Sequence, residues 1–231
     1  MTAVAVRFEA VGHRIGARQV LADLELTLTE RRIGVIGLNG SGKSTLARLI
    51  NGLVVPSSGR VLVDGLDTAR QAAAIRRRVG FVFTDPDAQI VMPTPVEDVA
   101  FSLRRSGFGK QQARERALAE LADFGIAHLA DSPAHLLSGG EKQLLALASV
   151  LVSEPALVVC DEPTTLLDLR NAHRIGERLA RMAPSLVLVT HHLDQLDGFD
   201  RVLVVHEGRV IADDTPDAAR AAYLALARAP S

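Results

Sequence analysis

The chain has 231 residues, 48% of them hydrophobic, and a formal net charge of −1, which leaves room for a substantial core and argues against a nucleic-acid surface as its main function. Its single cysteine excludes a disulfide framework within the chain. No apolar run approaches the roughly 18 residues that cross a bilayer and the N-terminus lacks a signal-peptide core, so the sequence predicts a cytosolic protein that meets a membrane only through a partner.

Short strands are predicted over 3–8 and 24–28, followed by an apolar strand over 32–36. That strand runs into Gly37-Leu38-Asn39-Gly40-Ser41-Gly42-Lys43-Ser44-Thr45, which fits G-x-x-x-x-G-K-[ST]. The glycines let successive backbone N–H groups turn inward around phosphate oxygens, and the apolar stretch 46–50 continues as a helix whose N-terminus favours an anion. Gly37, Asn39, Gly40, Ser41, Gly42, Lys43, Ser44 and Thr45 are therefore the predicted nucleotide cradle. Lys43 reaches the β- and γ-phosphates and Ser44 holds Mg²⁺.

A further strand is expected over 61–63, and Arg76-Arg77-Arg78 reads as a solvated helix end. The stretch from about 94 to 151 is predicted helical. Thr94-Pro95-Val96-Glu97 has the composition of a capping box with proline at the first helical position, and Ala117, Leu118, Leu121 and Phe124 form an apolar stripe at helical spacing. Within this region Leu137-Ser138-Gly139-Gly140-Glu141 forms a second phosphate-handling motif. Ser138 can cap the helix that follows while Glu141 closes the box, leaving the amides of Gly139 and Gly140 and the helix dipole free for an anion. One copy does not easily close both motifs on one nucleotide, so the chain reads as half of an ATP-clamping pair.

Beyond residue 155 the strands become continuous apolar runs, 157–160 and 186–189, with a helix over 173–182 between them, as in a parallel sheet covered on both faces. Cys160 is expected to be a buried apolar residue. The first run ends in Asp161-Glu162, whose adjacent carboxylates call for a cation nearby: Asp161 is the expected Mg²⁺ ligand and Glu162 the general base. Thr190-His191-His192 follows the second run on the same sheet edge, where ligands collect. His191 is the expected γ-phosphate contact with His192 as its substitute, and His13, His128, His135, His173 and His206 are read as structural. Glu207-Gly208 predicts a hairpin between 202–205 and 210–211, and a final helix is expected over 217–229 with no room for an appended regulatory domain.

The order of P-loop, Leu-Ser-Gly-Gly-Glu, Asp161-Glu162-Pro163-Thr164, Asp168 and His191 resembles an ATP-binding cassette (ABC) ATPase over nearly the whole chain. The resemblance implies one α/β domain over 1–231. Its core is the parallel sheet of a RecA-like P-loop NTPase, with an N-terminal antiparallel β subdomain and an inserted α-helical signature subdomain at about 86–150. It also implies that two copies, or this chain and a paralogue, sandwich two ATP molecules head to tail. Ser138, Gly139 and Gly140 then face the partner's γ-phosphate and Asp168 is the D-loop aspartate that communicates across the dimer.

The sequence departs from the family pattern in two places. An aromatic that stacks on adenine is replaced by Ile15, with His13 as an alternative, and the Q-loop glutamine is replaced by Thr84, its Mg²⁺ or water contact falling to Gln89 or being lost.

The stretch Asp85-Pro86-Asp87-Ala88-Gln89-Ile90, followed by residues 93–101, is similar to a segment peculiar to energy-coupling-factor (ECF) transporters. The likeness implies a short extra helix containing Gln89 that docks on a transmembrane coupling subunit, which in turn works with a substrate-binding membrane subunit. Asp85, Asp87, Glu97 and Asp98 offer countercharges to arginines on the coupling helices. In length and wording the chain most resembles the ATPase subunits of bacterial biotin importers, then those for cobalt or nickel, which places it peripherally on the cytoplasmic face of the bacterial membrane. A soluble cassette ATPase of DNA repair or translation is the alternative from another class. The long coiled-coil insertion or second cassette usual there is missing. A nucleotide-binding regulator without turnover is disfavoured by Glu162 and His191.

Overall fold

The computed structural model describes residues 3–105 and 107–228. In chain order its elements are β1 (Val6–Ile15), β2 (Arg18–Leu28), β3 (Arg32–Gly37), α1 (Lys43–Ile50), β4 (Ser58–Val63), β5 (Leu66–Asp67), α2 (Ala72–Ile75), β6 (Val79–Val82), α3 (Pro95–Ser102), α4 (Lys110–Asp123), α5 (Gly139–Leu151), β7 (Leu157–Asp161), α6 (Leu169–Arg181), β8 (Ser185–Val189), β9 (Arg201–His206), β10 (Arg209–Asp214) and α7 (Pro216–Arg228). They group into two compact units. One comprises residues up to 79 with 156–162 and 183 onward, and the other 80–155 with 163–182.

The first unit holds two sheets. One has the order β2-β1-β4-β5, all antiparallel. In the other, β10, β9, β3, β8 and β7 lie side by side, with β9, β3, β8 and β7 parallel and β10 antiparallel at the edge. Every residue of β7 and β8 is buried, as the apolar runs 157–160 and 186–189 predict, and the burial extends to Asp161 and Ser185 at their ends. Cys160 is among them, and burial pushes its thiol far up.

The β1–β2 hairpin is longer than the predicted strands. Its register shifts at Phe8/Val11 and Val11/His13, and Ala10 takes φ 48°, so bulges break the period-two pattern that would have revealed it. The Glu207-Gly208 hairpin forms as expected, both residues having positive φ (45° and 77°). Its turn does more than reverse the chain: the Gly208 N–H donates to the Ser41 carbonyl at 2.9 Å, and the Gly208 carbonyl accepts from the Ala22 N–H at 2.9 Å. The last helix runs to Arg228, and Ala229 lies outside the described residues.

The second unit is built on α3, α4 and α5, which pack against one another, with α6 against α5. Where the sequence suggests a helical subdomain over about 86–150, this unit takes in 80–155 and 163–182. Ala117 and Leu121 are fully buried and Phe124 nearly so, as the helical stripe predicts. The expected capping box at Thr94 is not closed, because the Thr94 hydroxyl donates to the Glu97 carboxylate at 2.8 Å and caps no backbone N–H.

Two residues expected at functional surfaces are instead spent inside this unit. Asp98 is 3% exposed; its carboxylate accepts from the Val91 and Met92 N–H groups at 2.9 and 3.1 Å and from the Ser149 hydroxyl at 2.7 Å. It therefore shapes the 91–92 turn and is no countercharge for a partner. The Gln89 amide accepts from the Phe83 N–H at 3.2 Å and donates to the Ala146 carbonyl at 3.1 Å. Both of its ends are engaged by backbone, so here it acts as a clip between the chain after β6 and α5.

Replacing Asp98 by Ala leaves the buried Ser149 hydroxyl and the part-buried Val91 and Met92 N–H groups without their acceptor, which should cost about 2 kcal/mol of unfolding free energy. Chemical denaturation of Asp98→Ala beside the parent chain measures it; a loss under about 0.5 kcal/mol would show that the carboxylate does not hold the turn.

Candidate functional site

Parallel pairing decides which side chains meet in the first unit. Val35 and Asp161 both pair with Val189, so β3, β8 and β7 finish on the same edge. The loops leaving that edge are the Gly-rich segment after β3, Asp161-Glu162 at the end of β7, and Thr190-His191 after β8. Open α/β sheets bind ligands at such carboxyl ends.

At Gly37 a Cβ would stand 2.1 Å from the Val205 carbonyl oxygen, so only glycine lets the chain leave β3 here. Gly42, in the left-handed conformation, then caps α1 without a side chain, and the first turn of that helix keeps its orphan N–H groups facing the loop. Lys43 is 5% exposed, and its ammonium donates to the Gly37 and Leu38 carbonyls at 2.9 and 3.0 Å. Burial pulls its pKa below the usual lysine range, opposed by the charges of Glu162 and Asp161. The Ser41 side chain is 4% exposed, with its Oγ unpaired inside the loop. Asn39 is exposed at the loop tip.

A cavity of about 200 Å³ opens over this loop, lined by Ile15, Arg18, Val20 and residues 40–45. Ile15, 63% exposed, is at hand as apolar surface for a base, whereas His13 does not line the cavity. Arg18, whose guanidinium donates to the Gly40 carbonyl at 3.4 Å, is a wall residue that no motif announces.

The Ser44 hydroxyl donates to the Asp161 carboxylate at 2.8 Å, so the two predicted metal ligands stand together. Burial raises the Asp161 carboxyl above the usual aspartate range. The Ser44 hydrogen bond and the Arg48 guanidinium, 3.4 Å from the other oxygen, oppose that rise. A cation at this point reverses the balance in favour of the carboxylate. Both donors are hard oxygens, as Mg²⁺ prefers. Among the described residues no cluster of three or more His, Cys, Asp or Glu could hold a metal. Ser44 and Asp161 together offer one hydroxyl and one carboxylate, a set that suits an ion completed by phosphate oxygens and water.

Glu162 follows with φ 50°, a left-handed conformation unusual for a glutamate, held by its N–H donating to the Val189 carbonyl at 2.9 Å. Its carboxylate lies 3.4 Å from His191 Nδ1, with the histidine side chain 41% exposed. The His192 ring centroid lies 4.1 Å from that of His191. Lys43, Ser44, Asp161, Glu162 and His191 thus belong to one cluster.

The remaining predicted residues lie in the second unit. Ser138 caps α5 in a complete box: its N–H donates to the Glu141 carboxylate at 2.8 Å and its Oγ accepts from the Glu141 N–H at 3.4 Å. The Ser138 hydroxyl holds the Glu141 carboxyl below its ordinary range. Ser138 and Gly139 are exposed and Gly140 is buried. Asp168 caps α6, accepting from the Asn171 N–H at 2.8 Å.

The profile of the ABC transporter family matches residues 21–165. A biotin transport ATP-binding protein, BioM, of Rhizobium etli is 47% identical over 222 residues, 96% of this chain and 99% of that protein. A cobalt import ATP-binding protein, CbiO, of Syntrophus aciditrophicus is 40% identical over 206 residues, 87% of this chain and 74% of that one. Among solved structures, cbiO1 of Clostridium perfringens, described as part of the ABC transporter complex cbiONQ, superposes with a TM-score of 0.81 at 32% identity. That alignment covers 95% of this chain and 92% of the other.

Glu162→Gln should keep nucleotide affinity while lowering phosphate release by about 10²–10⁴, the usual worth of a positioned base. Lys43→Ala should lose nucleotide binding itself. Equilibrium binding of a fluorescent nucleotide and a phosphate-release assay separate the two effects, and ordinary affinity in Lys43→Ala would remove the lysine from the site.

Proposed function

This chain belongs to the ABC transporter family of ATPases, and from that premise we propose that it is the subunit energising an importer of the energy-coupling-factor type, with biotin as its cargo. The observation that carries the catalytic part is the cluster of Lys43, Ser44, Asp161, Glu162 and His191 at one sheet edge. In this reading Lys43 exchanges its loop carbonyls for the β- and γ-phosphates of ATP. Glu162 takes a proton from water as the water oxygen bonds to the γ-phosphorus and the bond to the β-phosphate oxygen breaks. His191, beside the Glu162 carboxylate, steadies the γ-phosphate. Ser44 and Asp161 would hold Mg²⁺, which would supply positive charge beside the phosphates.

ATP also organises assembly. The exposed Ser138 and Gly139 at the capped start of α5 suit the γ-phosphate of a second copy or paralogue, so binding closes a head-to-tail pair and phosphate loss reopens it.

The transporter type is supported by the segment after β6. A cavity of about 320 Å³ there is lined by Asp87, Ile90, Val91, Met92, Pro93, Ala134 and His135, with Val91 64% exposed. Asp87 pairs with Lys142 at 2.8 Å yet remains largely exposed, and Asp85 and Glu97 are exposed nearby in sequence. A pocket of mixed polarity with the Asp87 carboxylate in its lining suits a helix of a transmembrane coupling subunit that offers both apolar and basic side chains. Among the described residues no helix is long and apolar enough to cross a membrane. The proposed place of action is the cytoplasmic face, beside a substrate-binding membrane subunit that selects the cargo. The cobalt-import relative supports a second reading in which the cargo is a metal ion.

Capture of the tagged chain from detergent-solubilised membranes should bring down a coupling subunit and a small substrate-binding protein. Cells lacking the gene should lose biotin uptake, with restoration by the parent chain and none by Glu162→Gln. Loss of cobalt uptake with biotin uptake intact selects the second reading, and capture of nucleic acid or ribosomes without membrane proteins refutes both. Asp87→Lys should lower the yield of the membrane complex at least tenfold while nucleotide affinity stays unchanged; full assembly in that variant would remove Asp87 from the docking surface.

A further inference from the structure

The D-loop aspartate and the signature helix are joined in the second unit by a residue that belongs to neither motif. Asn171, in the first turn of α6, gives its backbone N–H to Asp168 Oδ1 at 2.8 Å and its side-chain Nδ2 to Asp168 Oδ2 at 3.0 Å. One residue thus engages both oxygens of the carboxylate, which fixes its plane. One face of the same amide lies against Gly140. A Cβ built on that glycine would stand 2.6 Å from Asn171 Cγ and 2.8 Å from both Nδ2 and Oδ1, closer than real Cβ atoms approach. At Gly139 the nearest atoms, the Leu166 carbonyl oxygen and Leu167 Cδ2, are 3.9 Å from a built Cβ, so only the second glycine is pinched.

We infer that Asn171 is a positioning residue that clips Asp168 to the first turn of α5, making the D-loop and the Ser138-Gly139-Gly140 cradle a single rigid element presented to the partner protomer. This rests on the head-to-tail dimer reading of the previous subsection. A carboxylate held at both oxygens cannot turn without dragging the amide, and the amide cannot shift without moving off Gly140. Displacement of Asp168 by a second copy therefore alters where the α5 amides point, and closure over one γ-phosphate is conveyed to the loop that touches the other protomer. The leucines bracketing this loop, Leu166 and Leu169, are 64% and 88% exposed, which leaves Asp168 open to such contact.

The test uses the full chain carrying Glu162→Gln, in which turnover is blocked and ATP should draw protomers into dimers seen by light scattering. Failure of that parent to dimerise with ATP, alone or with its membrane partners, sinks the dimer reading and the clip with it. With a dimerising parent, Asn171→Ala should leave nucleotide affinity of the monomer within twofold and raise the protein concentration needed for ATP-driven dimerisation about tenfold, the worth of one charge-assisted hydrogen bond. Asn171→Asp keeps the shape against Gly140 but sets a second carboxylate against Asp168, and should weaken dimerisation to a similar degree while the chain stays folded. Gly140→Ala should also weaken dimerisation, and the pair Gly140→Ala with Asn171→Ala should lose less than the product of the single losses, because removing the amide makes room for the methyl. Dimerisation of both Asn171 variants at the parent's concentration, or purely multiplicative losses in the double variant, overturns the clip and leaves the dimer reading standing.

Discussion

Parallel register is the constraint from which the chemistry follows. Because β3, β8 and β7 run the same way and stop level with one another, a lysine at the start of α1, a carboxylate pair after β7 and a histidine after β8 meet without any of their loops having to reach. The Ser44–Asp161 hydrogen bond at 2.8 Å is the local expression of that alignment. A slip of either outer strand by one residue would turn alternate side chains to the wrong face and part the hydroxyl from the carboxylate.

The two units divide the work. In the proposed reading the first holds the groups that would grip phosphate and move a proton, of which Lys43 and Asp161 are buried and displaced in pKa by that burial. The second carries the capped start of α5, the Asp168 loop and the pocket beside Asp87, which in the same reading are surfaces for other chains. This division explains why charged residues in the second unit are so often tied up locally. Asp98, Asp168 and Glu141 each hold a backbone turn or helix end in shape, so that exposed neighbours are offered in a fixed pose.

Much of this was legible in the residues themselves. Gly37 to Thr45, the Ser138 box and the Glu207-Gly208 turn are local rules in which spacing alone prescribes geometry, and each took the expected form. The β1–β2 hairpin was only partly visible because its bulges spoil the alternation that betrays a strand. Asp98 departs from its expected surface role for a different reason: a polar residue beside a functional segment looks the same in sequence whether it faces a partner or holds a turn from inside. Arg18, Arg48 and Asn171 carried no signal, since what matters about each is a neighbour distant in sequence or, for Asn171, an amide face turned toward another helix.

The β9–β10 turn has a meaning beyond closing a sheet. Through the Gly208 N–H it steadies the carbonyl of Ser41. At its other end the same hairpin sets the Val205 carbonyl against Gly37, where no side chain could fit. The far C-terminal hairpin is thus the keystone of an N-terminal arch. The shape of the Gly37–Thr45 loop depends on backbone groups much later in the chain, which ties its order to the pairing of β9 with β3 and β10.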